Sequence, residues 1–287
     1  MSELPAFARA LCDDAAVFPP GLAPLAEAVP AHRAHRAAAH ADLVGPLVVG
    51  APAVPELGGL ITDALDLAVT APGGPAQLAG LFADLAGLPV RLAALEVAVP
   101  DEAAPAAFLA ELDRACAPVP EVAVFVEVPR DDRRPDLLRA LAGTRYRAKF
   151  RTGGVTAELH PDEAELAAAV HAAVGAGIPF KATAGLHHAL RNTDPRTGFE
   201  QHGFLNLLLA TDAAADCADP AEIAAVLAER DGEPIARRVA ALDAHRVAAV
   251  RARFLSFGTC SIIEPLTELV DLGLVPAAAR GGGGDHP

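Results

Sequence analysis

The stretch "EVAVFVEVP" (Glu121–Pro129) decides the fold. Val122, Val124, Val126 and Val128 form one row, and Ala123, Phe125 and Glu127 form the other. Such alternation is a β-strand with two unlike faces. The β-branched row suits packing against helices, so Glu127 points the other way, near the C-terminal end of the run. "VRLAALEVAVP" (90–100) repeats the pattern, with Leu95, Val97 and Val99 on one face and Ala94, Glu96 and Ala98 on the other.

Working outward, further short apolar runs occur at "AAVFPP" (15–20), "GPLVVGA" (45–51), "LDLAVTA" (65–71), "RYRAKFRTGG" (145–154), "IPFKATAG" (178–185) and "RFLSFGTCS" (253–261). Between them lie stretches such as "PAQLAGLFADLAGL" and "DEAELAAAVHAAVGAG", with apolar residues at three-to-four spacing. Strands alternating with helices predict an α/β fold with a parallel sheet. A count of eight predicts closure into a single (β/α)8 TIM barrel over residues 1–279. An open doubly wound sheet would need a Gly-rich phosphate loop after its first strand, and "AVFPPG" is not one. Residues 186–252 are long for one crossover. They predict a long helical insertion between strands seven and eight, with about three helical stretches behind the polar loop "HHALRNTDPRTGFEQH". A long loop on a barrel's active face is expected to act as a lid or binding element. "RGGGGDHP" (280–287) reads as a disordered Gly-rich tail.

The chain is 52% hydrophobic, enough for a large core, but only 4% aromatic with no Trp, so Ala, Val and Leu must build it. A net charge of −14 argues against a nucleic-acid or anionic-membrane partner. The four cysteines are scattered without metal spacing. "MSELPAFARALCDD" has no basic segment followed by an apolar core, and no apolar run reaches spanning length, so a cytoplasmic protein is expected. No cofactor and no metal are called for, and the oligomeric state is left open, a homo-oligomer included.

Only two of the 23 Lys and Arg residues are lysines. Both, Lys149 and Lys181, stand in a Lys-x-x-x-Gly setting at the end of a strand-like run. Alternation places Lys149 with Arg151 on one face, and Lys181 with Thr183. Glu96, Glu127, Lys149 and Lys181 can thus share one barrel interior, toward the strand C-termini where barrel active sites lie. The bland reading is an ion-pair network filling a polar layer; buried charge is costly, which favours a functional one. A buried lysine near a second cation is a nucleophile toward carbonyls, and the Schiff base it forms is an electron sink. A carboxylate then moves the protons.

These residues bear a resemblance. Lys149-Phe150-Arg151-Thr152-Gly153-Gly154 resembles the Lys-Thr-Ser-Thr-Gly-Phe signature of class I aldolases of the deoxyribose-phosphate aldolase type. Lys181-Ala182-Thr183-Ala184-Gly185 is similar to that family's Lys-Ala-Ser-Gly-Gly, and Gly258-Thr259-Cys260-Ser261 to its eighth-strand Gly-Ala/Thr-Ser-Ser. Glu127 matches a fifth-strand Glu. Glu96, four residues before Pro100, stands where the family has an acidic relay. The resemblance implies Lys149 as the Schiff-base nucleophile and Lys181 as the cation that lowers its pKa. It departs at Arg151 for a small hydroxyl residue, Glu96 for Asp, and Ala184 for one glycine of a phosphate-binding pair. These departures put the usual phospho-sugar in doubt, and the expected partner is a small anionic carbonyl metabolite bearing a carboxylate or a differently shaped phosphate. Arg151, Thr183, His187, His188, Gly258, Thr259 and Ser261 are its candidate contacts. Two alternatives stand beside this lyase: an isomerase or hydrolase on the same barrel using Lys, Arg and His electrostatically, and a non-catalytic anion-binding barrel.

Three smaller expectations complete the picture. Asp13 and Asp14 precede the first run, and surface capping is at least as good a role as reaching the mouth. His202 and Asn206, at i and i+4 on an expected helix, read as a surface pair. Cys260 reads as a packing residue, since no His partner stands near it in sequence.

Overall fold

The structure is a computed structural model that describes residues 4–280. Among the described residues, eight parallel strands close into a barrel in chain order. They are β1 (Cys12–Asp14), β2 (Val44–Gly50), β3 (Leu65–Ala71), β4 (Val90–Ala98), β5 (Ala123–Glu127), β6 (Arg147–Arg151), β7 (Phe180–Thr183) and β8 (Phe254–Thr259). Helix α1 (Leu25–Ala37) follows β1. Between β2 and β3 the connection is a run of 3-10 turns, Ala51–Gly59. Helices α2 (Leu78–Leu85), α3 (Pro105–Cys116), α4 (Arg134–Leu141) and α5 (Glu163–Gly175) follow β3 to β6 in turn. Between β7 and β8 lie a small hairpin (Asn192–Thr193 with Glu200–Gln201) and four helices, α6 (Phe204–Ala215), α7 (Pro220–Ala228), α8 (Gly232–Ala240) and α9 (Ala244–Arg251), where the sequence predicts about three. Pairing of β8 with β1 closes the barrel, and helix α10 (Ile263–Asp271) follows β8.

Local chemistry explains the boundaries. Helices α5, α7, α8 and α9 each start at an aspartate whose side chain accepts a backbone N–H of the first turn: Asp162, Asp219, Asp231 and Asp243. The strands sort their side chains by parity. Leu95, Val97, Val124 and Val126 join the large cluster between sheet and helices. Val48, Ala68, Ala94 and Phe125 form a second, smaller cluster inside the barrel. Much of the scarce aromatic content is placed behind the lysine-bearing strands. Phe180 lies 5.5 Å from Phe254 and 5.4 Å from Phe150 between ring centroids, while Phe204 of α6 stacks on Phe257 at 4.9 Å. These contacts fix β6, β7 and β8 from outside and turn their alternate residues inward.

Two expectations change. The first strand is Cys12–Asp14, not Ala15–Pro20, which forms the loop after it. Consequently Asp13 and Asp14 are strand residues and both are buried, rather than surface caps. Arg280, assigned from sequence to the disordered tail, belongs to a 3-10 turn, Ala277–Arg280, donates to the Thr267 carbonyl at 2.8 Å and pairs with Asp271. The remainder of the expected tail, 281–287, lies outside the described residues. No helix among the described residues is long and apolar enough to cross a membrane.

Candidate active site

Strand register brings the charged residues together. Glu127 is level with Lys149, and Lys149 with Lys181, so three adjacent strands present one row near their C-terminal ends. Glu96 lies one layer deeper, level with Phe125. Its carboxylate joins the two lysines: Oε2 lies 2.8 Å from Lys149 Nζ and Oε1 2.5 Å from Lys181 Nζ. Lys149 also pairs with Glu127 at 3.0 Å, and Arg151 donates to the other Glu127 oxygen at 3.0 Å. Lys181 also donates to Asp13 Oδ2 at 2.5 Å, an oxygen that accepts the Ser256 hydroxyl at 2.7 Å. The Lys181 ammonium stands 5.4 Å from the Phe125 ring centre, a cation–π contact. With all six groups ionised, three carboxylates balance three cations.

The electrostatics differ around the cluster. Burial pushes the Glu96 carboxyl up, but the Lys149 and Lys181 charges outweigh it and hold the pKa at about 2. Burial likewise opposes the Lys181 charge, and Asp13 and Glu96 overcome it, so this ammonium is held protonated above the ordinary lysine range. Burial raises Asp13 against the pull of Lys181. Glu127 is lowered: burial raises it, and Lys149 and Arg151 more than compensate. Lys181 is thus a fixed cation enclosed between acids at the floor, 1% exposed. Lys149 is the lysine that also reaches Glu127, whose side chain is 23% exposed and faces the opening.

A cavity of about 680 Å³ stands over this row. Of the residues expected from sequence, Glu96, Glu127, Lys149, Lys181, Arg151, Thr183, His187, His188 and Gly258 line it. The two histidines diverge. Burial lowers the pKa of His187, which lies 3.5 Å from the Cys260 sulfur. A 2.6 Å contact with Glu268 raises that of His188. Thr259 and Ser261 do not line the cavity. The Thr259 hydroxyl donates to the Ser261 carbonyl at 3.0 Å, and Ser261 Oγ accepts the Glu264 N–H at 3.2 Å, so both hydroxyls build the turn into α10. Cys260, between them, faces the cavity instead. His202 and Asn206 are fully buried, not a surface pair. His202 precedes α6 and bonds the Pro161 carbonyl, while Asn206 joins the hairpin base to the α7 end through Arg191 N, Val226 O and Glu229 O. Among the described residues, no group of three or more His, Cys, Asp or Glu could hold a metal ion.

Asp13, Ser256, the hairpin and the Cys260–His187 contact are the features that sequence reasoning missed. Asp13 carried little local signal, since its strand, Cys12–Asp14, is too short to show an alternation. The Cys260–His187 contact joins residues 73 positions apart and has no local signal.

The β6 and β7 loops meet closely. A Cβ added at Gly185 would lie 2.9 Å from Gly153 Cα, and Gly185 has φ of +74°, so only glycine fits there. Ala184 beside it also has positive φ, 61°, which an alanine adopts only at a cost. Its carbonyl is held by the Thr152 hydroxyl at 2.5 Å. Ala184→Gly is expected to stabilise the fold by about 1 kcal/mol, read as a rise in the urea midpoint with an unchanged slope.

No protein-family model matches the chain, and neither does any curated protein or solved structure. What supports a function is therefore the geometry of this cavity.

Proposed function

We propose that the protein is a class I, Schiff-base carbon–carbon lyase in which Lys149 attacks a small aldehyde or keto substrate bearing an anionic group. One observation carries the reading: two buried lysines share the Glu96 carboxylate, and of the two it is Lys149 that continues to Glu127 at the opening. The contrast assigns separate tasks. Lys181, held protonated, keeps a constant positive charge below the reacting centre. Lys149 exchanges its proton with Glu127.

In the first step Lys149 gives a proton to Glu127, and its lone pair forms a C–N bond to the carbonyl carbon. The C=O pair moves to oxygen, which takes the proton back from Glu127. The carbinolamine nitrogen then releases one proton and the hydroxyl gains one, so the oxygen departs as water and an iminium remains. Breaking the bond between the α and β carbons sends that electron pair into the iminium and yields an enamine, while the β-hydroxyl proton leaves to a base as the second carbonyl forms. Protonation of the enamine and hydrolysis return Lys149. Glu96, kept ionised by two ammonium groups, serves as counter-ion to the iminium more readily than as a base. Arg151 and Arg196 line the same cavity and supply charge for the anionic group.

Borohydride reduction in the presence of a carbonyl panel, read by intact mass, tests the reading. A reduced adduct is expected with at least one member, and none across the panel counts against it. A second reading has its own support, since every member of the cluster is already ion-paired. An isomerase or hydrolase using these charges electrostatically would keep partial activity in Lys149→Arg. A Schiff-base enzyme would not, because a guanidinium forms no iminium under these conditions.

A further inference from the structure

The cavity has two unlike sides. Around β5 to β8 it is lined by Glu127, Lys149, Arg151, Lys181, Thr183 and His187. Around β1 to β4 the lining is Ala15, Phe18, Pro20, Val48, Pro72 and Ala98, with Thr70 and Glu96 as the polar members, and Glu96 turned to the two lysines. Ala15 and Phe18 pack on the apolar cluster inside the barrel and remain only part-buried, so that cluster continues upward as an open wall. The short side chains of Ala15 and Ala98 leave the room on this side, while long charged side chains occupy the other. Val155, 71% exposed, and Phe199 add an apolar lip over the charged side.

From this asymmetry we infer that the substrate's carbonyl carries an unsubstituted alkyl or aryl arm that lies along the β1–β4 wall. The inference rests on the proposed attack by Lys149 for the position of the carbonyl; the wall itself is independent of it. A polyhydroxylated arm would lose its water against Phe18, Val48, Pro72 and Ala98, whose side chains offer no donor or acceptor in return, and each stranded hydroxyl weakens binding. An alkyl arm gains from the same surface in proportion to the area it covers. Selection therefore runs by apolar length and against hydroxyls.

The test uses two probe sets on the full chain. Straight-chain carboxylates from acetate to hexanoate report binding without any covalent step, and their affinity is expected to rise roughly three- to fourfold per methylene. Propanal and glyceraldehyde, equal in carbon count, report the covalent step by borohydride trapping, with propanal expected to label at least tenfold faster. Ala98→Leu fills the wall and is expected to flatten the carboxylate series beyond butyrate. It adds bulk to open space and so leaves the fold intact, which its melting temperature verifies. Phe18→Asn is expected to reduce the step per methylene below twofold. If neither aldehyde is trapped but the carboxylate series still rises, the Lys149 reading fails and the apolar wall stands. If aldehydes are trapped while affinity is flat with chain length, or glyceraldehyde matches propanal, the inferred arm is wrong.

Discussion

Glu96→Ala is expected to lower the stability of the protein by about 3–5 kcal/mol, the cost of removing one partner from a buried ion pair. Glu96 is 3% exposed and is the only carboxylate among the described residues that bonds both lysines. Without it the cluster carries an uncompensated positive charge in the barrel interior. At roughly 2–4 °C per kcal/mol the melting temperature should fall by about 10 °C. The effect has a pH signature. The folded pKa of Glu96, about 2, lies below its ordinary value of 4.5. Its contribution is then fully present above pH 4.5 and is lost as pH falls from there toward 2. Asp13, raised by burial, opposes this: its contribution is present below its ordinary pKa and declines as pH rises through the higher folded value. In Glu96→Ala the acid loss of stability between pH 4.5 and 2 should be shallower than in the parent chain. Equal slopes in urea melts across that range would show that Glu96 is not the group held ionised.

Lys149→Met is expected to abolish adduct formation and to reduce carbonyl turnover to background, a loss of at least a thousandfold. Its structural cost should be smaller than that of Glu96→Ala. After the substitution Glu127 keeps Arg151, and Glu96 keeps Lys181, so no carboxylate is stranded. Lys181→Met provides the contrast. It leaves Asp13 with no ion-pair partner among the described residues and takes one of the two from Glu96, at the fully buried position, and should lose stability and activity together. Stopped turnover in a stably folded Lys149→Met protein separates chemistry from packing. Retained turnover there would remove Lys149 from the reaction.

How far the sequence spoke depended on how local each signal was. The barrel was legible because parity is a local property: Val124 and Val126 went to the helix side and Phe125 inside, as alternation requires. The same rule brought Glu96, Glu127, Lys149 and Lys181 to one interior. It failed at β1, whose three residues are too few to show a period and whose two aspartates conceal a buried strand behind a polar pair. The apolar Ala15–Pro20 run drew the assignment one step too far along the chain. At the end of β8 the resemblance suggested Thr259 and Ser261 as ligand contacts, but their hydroxyls are engaged in the turn and Cys260 faces the cavity. Both lysines are buried, and which one pairs with Asp13 and which with Glu127 depended on contacts that reach across strands. No spacing encodes that.

Lys149, and not Lys181, is the lysine proposed to meet the carbonyl. The chain lends itself to a direct measurement because it has only two lysines. Borohydride trapping with a carbonyl that forms an adduct, followed by peptide mapping, assigns the label to Lys149, Lys181 or the α-amino group. A reduced adduct is expected on Lys149, with Lys181 unmodified and the label absent from Lys149→Met. An adduct on Lys181, or one confined to the α-amino group, would contradict that assignment.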